Sequence, residues 1–111
     1  MNFHTSPFVV LYRWRLHPGA EESFVAAWSR VSELLRAERG SLGSRLHRGD
    51  DGLWYSYAQW PSAQVRTDAF AFGSVDAGAG AQMERAIAER YPEVVLNVEA
   101  DFLAPFPGIV A

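Results

Sequence analysis

The chain has 111 residues, 49% of them hydrophobic, a net charge of −3 and no cysteine. That length reads as one domain over residues 1–111, with a single core and room for one modest pocket. The missing thiols exclude disulfides, cysteine nucleophiles and zinc–thiolate sites and fit a reducing cytoplasm. The acidic balance, with no basic run, argues against nucleic acid, and no apolar stretch approaches the ~20 residues of a membrane span.

Met1 to Pro7 lacks a basic segment followed by an apolar one, so no signal peptide is expected. Four Trp, four Tyr and seven Phe exceed what so small a core needs. They imply an oligomer interface, an aromatic-lined ligand pocket, or both.

Phe8 to Leu16 alternates as a strand, with Phe8, Val10, Tyr12, Trp14 and Leu16 on the more apolar face. Pro18-Gly19 ends it. Glu21 and Glu22 then open a helix that runs to about Arg39 and stops at Gly40. Phe24, Ala27, Trp28, Val31, Leu34 and Leu35 share one helical face.

Leu42 to Arg48 and Leu53 to Trp60 are two strands joined by the three-residue loop Asp50-Asp51-Gly52. If Gly49 opposes Leu53, Leu46 opposes Ser56, Ser44 opposes Ala58 and Leu42 opposes Trp60. Leu42, Leu46, Trp54, Ser56, Ala58 and Trp60 then face the helices. Arg45, His47, Tyr55 and Tyr57 face away.

Pro61 starts a second helix with the stripe Val65, Ala69 and Phe72. Gly73 to Gly80 reads as a break or loop. Met83, Ile87 and Tyr91 recur at helical spacing until Pro92, and Val94 to Phe102 alternates as a fourth strand. The core therefore spans about 8–103, and 104–111 reads as a tail.

This order, β-α-β-β-α-β, predicts an α+β, ferredoxin-like fold with one antiparallel sheet covered by helices on one face. The other face mixes Val9, Leu11, Tyr55 and Tyr57 with Arg13, Arg15, Glu99 and Asp101. Such a face predicts a homodimer packed sheet to sheet, with Arg13 or Arg15 pairing Glu99 or Asp101.

A set of residues carries a resemblance: His17-Pro18-Gly19 before an acidic helix start, Gly40, Leu42, His47, Asp51-Gly52, Tyr57-Ala58-Gln59-Trp60, Ser62, Gln64, Phe70 and Gly73. The chain resembles the antibiotic biosynthesis monooxygenase domain family over roughly Phe8 to Phe102. Between Gly40 and Gly73 it is similar to the cofactor-free enzymes that convert anthrone-type polyketide intermediates to quinones. The resemblance implies a dimeric α+β barrel with one pocket per subunit, no cofactor, and an aromatic substrate oxidised by O2.

In those enzymes a pocket Asn lies four residues before the Trp and a helical Tyr six after it. Here the Trp is kept as Trp60, while Ser56 and Arg66 stand at the other two positions. A branch that degrades haem uses an Asn on the first strand, a Trp on the second helix and a His on the last helix. This chain offers Tyr12 and Phe70 there and no His after His47, which argues against that chemistry.

Trp60, Ser56, Arg66 and Tyr12 are the candidate catalytic donors. Trp14, Trp28, Phe72 and Met83 are candidate substrate-binding walls, or simply core filling. Arg66 reads more readily as a solvated helix residue than as a ligand group. His4, His17 and His47 have neither ligand spacing nor a carboxylate cluster, so no metal is expected. Ala77-Gly78-Ala79-Gly80 follows no strand and fits no dinucleotide or phosphate motif.

Overall fold

The computed structural model describes residues 7–104. Its elements are β1 (Phe8–Leu16), α1 (Glu21–Glu38), β2 (Gly43–Arg48), β3 (Trp54–Trp60), α2 (Ala63–Ala71), α3 (Ala77–Ala86), β4 (Ile87–Arg90) and β5 (Val94–Asn97). They form the expected α+β, ferredoxin-like architecture: one antiparallel sheet in the order β2-β3-β1-β4, with β5 also on β1.

The hairpin register is the expected one, Leu46 against Ser56 and Ser44 against Ala58. Gly49 donates its backbone N–H to the Leu53 carbonyl at 2.7 Å, and Gly52 sits at φ +83°. Only glycine takes that left-handed conformation at little cost, which closes the turn.

Leu42 departs from the pattern. It is 54% exposed and lies with Arg45, Tyr57 and Leu103 on the side away from the helices. Gly43, at φ +114°, redirects the chain between Leu42 and β2.

The last third differs more. α3 begins inside the segment expected to be a loop. Asp76 caps it by accepting the Ala79 N–H at 3.0 Å, and Gly78 and Gly80 fall within it. The helix expected to run to Pro92 stops at Ala86, and Ile87–Arg90 instead pairs with β1 at Trp14, Arg15 and Leu16.

Pro92 then splits the edge. β5 resumes on Phe8–Leu11 and ends at Asn97 rather than Phe102. Glu99 and Asp101 therefore lie beyond the sheet. The expected tail falls, but for Ala104, outside the described residues.

α1 and α3 cover one sheet face. Phe24, fully buried, meets Trp14 edge-on at 5.2 Å and Trp54 at 6.1 Å between ring centres. Leu16 and Ala86 complete this centre, with Leu46, Met83 and Ile87 packed around it. Burying a side chain such as Phe24 is worth about 1.5–3 kcal/mol, so this cluster is the main weld between helix and sheet.

A chamber between sheet and helices

Beside that weld lies a chamber of about 190 Å³. Its floor is the helix-facing side of the sheet: Tyr12 and Trp14 from β1, Ser44 from β2, and Ser56, Ala58 and Trp60 from β3. α1 contributes Trp28, Val31, Ser32 and Leu35, α2 contributes Phe70, and Met83 and Arg90 close the far end. The alternation of β1 and β3 thus puts four of the expected site residues, Tyr12, Trp14, Ser56 and Trp60, together with Trp28 and Met83 from the helices, around one cavity; of that list, Arg66 and Phe72 are not in the lining.

Trp60 is 2% exposed, and its Nε1–H is buried with no hydrogen-bond partner. A buried donor left unsatisfied costs about 1–3 kcal/mol. Its ring is held edge-on by Phe70 at 5.8 Å.

Ser56 is also 2% exposed, and its Oγ accepts the Trp28 Nε1–H at 3.2 Å. That bond fills an acceptor site on the hydroxyl and leaves its proton to be donated elsewhere. Trp28, expected only as a wall, is therefore also the residue that orients Ser56.

Tyr12 stacks on Trp14, with ring centres 5.9 Å apart and planes at 4°. Burial pushes the Tyr12 hydroxyl above the ordinary phenol value. The Arg66 guanidinium pulls the other way, and Glu93 adds to the rise. At neutral pH Tyr12 is thus a protonated donor.

Arg66 is not a solvated helix residue. Its side chain is 17% exposed, its guanidinium lies 5.7 Å from the Tyr12 ring and 5.3 Å from the Phe70 ring, and Nη2 donates to Glu93 at 2.7 Å. It backs the two rings that wall the chamber. Ser62 begins this helix by accepting the Val65 N–H at 3.1 Å, which fixes which faces Arg66 and Phe70 present.

Phe72 is a correction. It is the C-cap of α2, 77% exposed, with the Arg39 guanidinium 5.5 Å from its ring. Phe70 takes the wall position instead. Phe70 lies four residues after Arg66 and so shares its face.

His47 projects on the opposite side of the sheet, with Nδ1 3.4 Å from the Tyr55 carbonyl. Among the described residues no three His, Asp or Glu side chains gather as a metal site would require. No helix among them is long and apolar enough to cross a membrane.

The molecule is thus an α+β domain of two layers, a sheet and the helices on one of its faces, with an aromatic-lined chamber between them. The chain belongs to the antibiotic biosynthesis monooxygenase family, whose profile matches residues 7–71. No curated protein matches it in sequence.

Solved structures share its fold. A Pseudomonas aeruginosa protein is 19% identical, with 89% of this chain and all of that one aligned at a TM-score of 0.68. A Bordetella bronchiseptica protein that carries the same family name is 18% identical over 88% of this chain and all of its own, at 0.69. A Mycobacterium tuberculosis protein is 20% identical over 90% and 100%, at 0.64.

Proposed function

We propose that this chain is a cofactor-independent monooxygenase that oxidises a phenolic or quinol-type aromatic molecule with O2 inside the chamber. The observation that carries this reading is the buried, unpartnered Nε1–H of Trp60 on an otherwise aromatic wall. An apolar cavity with one unsatisfied donor suits a flat ring bearing an oxygen acceptor.

The chemistry balances without a helper. The phenol loses its proton, and the electron-rich anion reduces O2. One oxygen atom bonds to a ring carbon that bears hydrogen, para to the phenolate in a phenol with that position free and ortho to it in a quinol. The other leaves as water, taking that carbon's hydrogen and a phenolic proton, and the ring is left as the quinone, or from a quinol as the hydroxyquinone.

The protein's part is to exclude water, orient the ring and place donors where negative charge develops. Trp60 and Ser56 supply donors on one strand, and Tyr12 supplies one on the next. Each such donor is worth roughly 3 kcal/mol in enzymes where it has been removed.

Among the described residues the chamber lining contains no carboxylate or imidazole. The substrate must therefore ionise on its own. We expect kcat/KM to rise with pH and level off at the substrate's pKa, moving with that pKa across a series of substituted phenols. An oxygen electrode with no added metal or flavin tests the proposal. Uptake that is absent across a broad phenol and quinol panel, while aromatic ligands still quench tryptophan fluorescence, leaves a binding protein instead.

We infer also that two copies pack through the outer sheet face. Leu11, Arg13, Tyr55 and Tyr57 lie there, and a groove of about 800 Å³ separates Val9, Tyr57 and Gln59 from the segment Val98 to Leu103. Within one chain these charged groups have partners of their own. Arg15 pairs with Glu89 at 3.2 Å, Arg13 donates to the Pro92 carbonyl at 3.2 Å, and Asp101 accepts the Leu103 N–H at 2.9 Å.

A further inference from the structure

The chamber is small. A cavity of roughly 150 Å³ takes up benzene, so the 190 Å³ here suits one ring and its oxygen. It is not closed, however. A second depression, of about 240 Å³, lies between α1 and the start of β2 and shares Trp28, Ser32 and Ser44 with it.

Trp28 thus forms one wall of both spaces, and the two serines flank their junction. Beyond the junction the second space is lined by Ser29, Glu33, Arg36 and Gly43. The chamber mixes its aromatic and aliphatic walls with serines and Arg90, whereas beyond the junction every further side chain is polar.

We infer that this second space is a polar subsite, and that the ligand is elongated: an aromatic ring in the chamber with an uncharged, hydroxylated substituent reaching out between α1 and β2. This rests on the chamber being the ring site. The choice of an uncharged tail follows from the lining. Serine hydroxyls both donate and accept, Glu33 accepts and Arg36 donates. One carboxylate and one guanidinium at the same rim favour neither ionic sign, whereas a polyol can bond to all of them.

Binding is measured by quenching of tryptophan fluorescence, which needs no turnover. The probes are hydroquinone, its O-glucoside, and 2,5-dihydroxyphenylacetate as the carboxylated counterpart. The glucoside should bind about tenfold tighter than hydroquinone, the gain of two or so net hydrogen bonds.

Ser32→Leu narrows the junction, and Ser29→Val alters only the outer space. In each the ratio of the two dissociation constants should fall toward one, and the second variant keeps the test open if the first does not fold. Equal binding of glucoside and hydroquinone overturns the subsite while leaving the chamber reading intact. So does a glucoside advantage that survives in both variants, or a preference for the carboxylated probe over the glucoside. If no ring compound binds, the chamber reading fails and the subsite with it.

Discussion

Replacing Trp60 by Phe removes the Nε1–H and a little ring area while preserving an aromatic contact for Phe70. The lost ring atoms cost about 1–2 kcal/mol in a tight core. Removing a buried donor that has no partner returns about 1–3 kcal/mol. The two nearly cancel, so urea unfolding of Trp60→Phe should stay within about 1 kcal/mol of the parent. Activity should not be spared: kcat/KM for oxygen uptake is expected to drop about 100-fold if this donor meets the oxyanion. A variant that is equally stable and equally active removes Trp60 from the chemistry.

Ser56 and Trp28 form a coupled pair, because the Trp28 Nε1–H donates to the hydroxyl of the buried Ser56. Trp28→Phe or Ser56→Ala should each cost about 1–2 kcal/mol, and the double variant should cost less than their sum. Tyr12 adds a pH signature. Its folded pKa is raised, so the unfolded chain loses that proton first as the solution turns alkaline. The Tyr12 contribution is therefore whole below about pH 10 and is lost as pH climbs through the folded value. Tyr12→Phe should remove that part of the alkaline decline in stability.

Among the elements, α2 is the one on which the site depends most for its size. It is nine residues long, and its two contributions, Arg66 and Phe70, hang on a start set by Ser62. Ser62→Ala should cost about 1 kcal/mol in thermal or urea unfolding and weaken ring binding more than a remote surface change. Ser62→Asp or Ser62→Asn should recover most of both, since either side chain can cap the same N–H groups.

The same element shows where sequence reading reaches its limit. The hairpin and the strand faces were legible, because Asp50-Asp51-Gly52 fixes a register and every second residue then follows. The wall from α2 was not, because Val65, Ala69 and Phe72 make as good a stripe as Arg66 and Phe70 until the cap is placed. The last third misread for a related reason. Met83, Ile87 and Tyr91 fit a helical period, but Ile87 is drawn into the sheet by the free edge of β1 at Trp14 to Leu16. Tertiary pairing there outweighs local spacing. Glycines 78 and 80 hid α3 because their low propensity is offset by the Asp76 cap and by packing on α1.

At the scale of the whole molecule, the sheet has one face covered by helices and one that no helix among the described residues covers. The uncovered face is not built for water. Leu11, Tyr55 and Tyr57 stand in its middle, Val94, Val95 and Leu96 are each more than a third exposed along its edge, and Phe102 is 96% exposed beside it. A stable pairing needs about 800 Å² from each partner, an area of the order such a sheet face provides. We expect light scattering at micromolar concentration to give the mass of two chains. Tyr57 lies between Leu11 and Arg45 at the centre of this face, so Tyr57→Asp should place an unpaired carboxylate in the seam and weaken association at least 100-fold, as loss of a central anchor does. The chamber opens on the opposite side of the sheet. The resulting monomer should therefore still bind an aromatic ring with quenching of tryptophan fluorescence, which separates a broken interface from a broken fold. A parent protein that runs as a monomer at micromolar concentration overturns the dimer, and leaves the exposed apolar face as a surface for some other molecule.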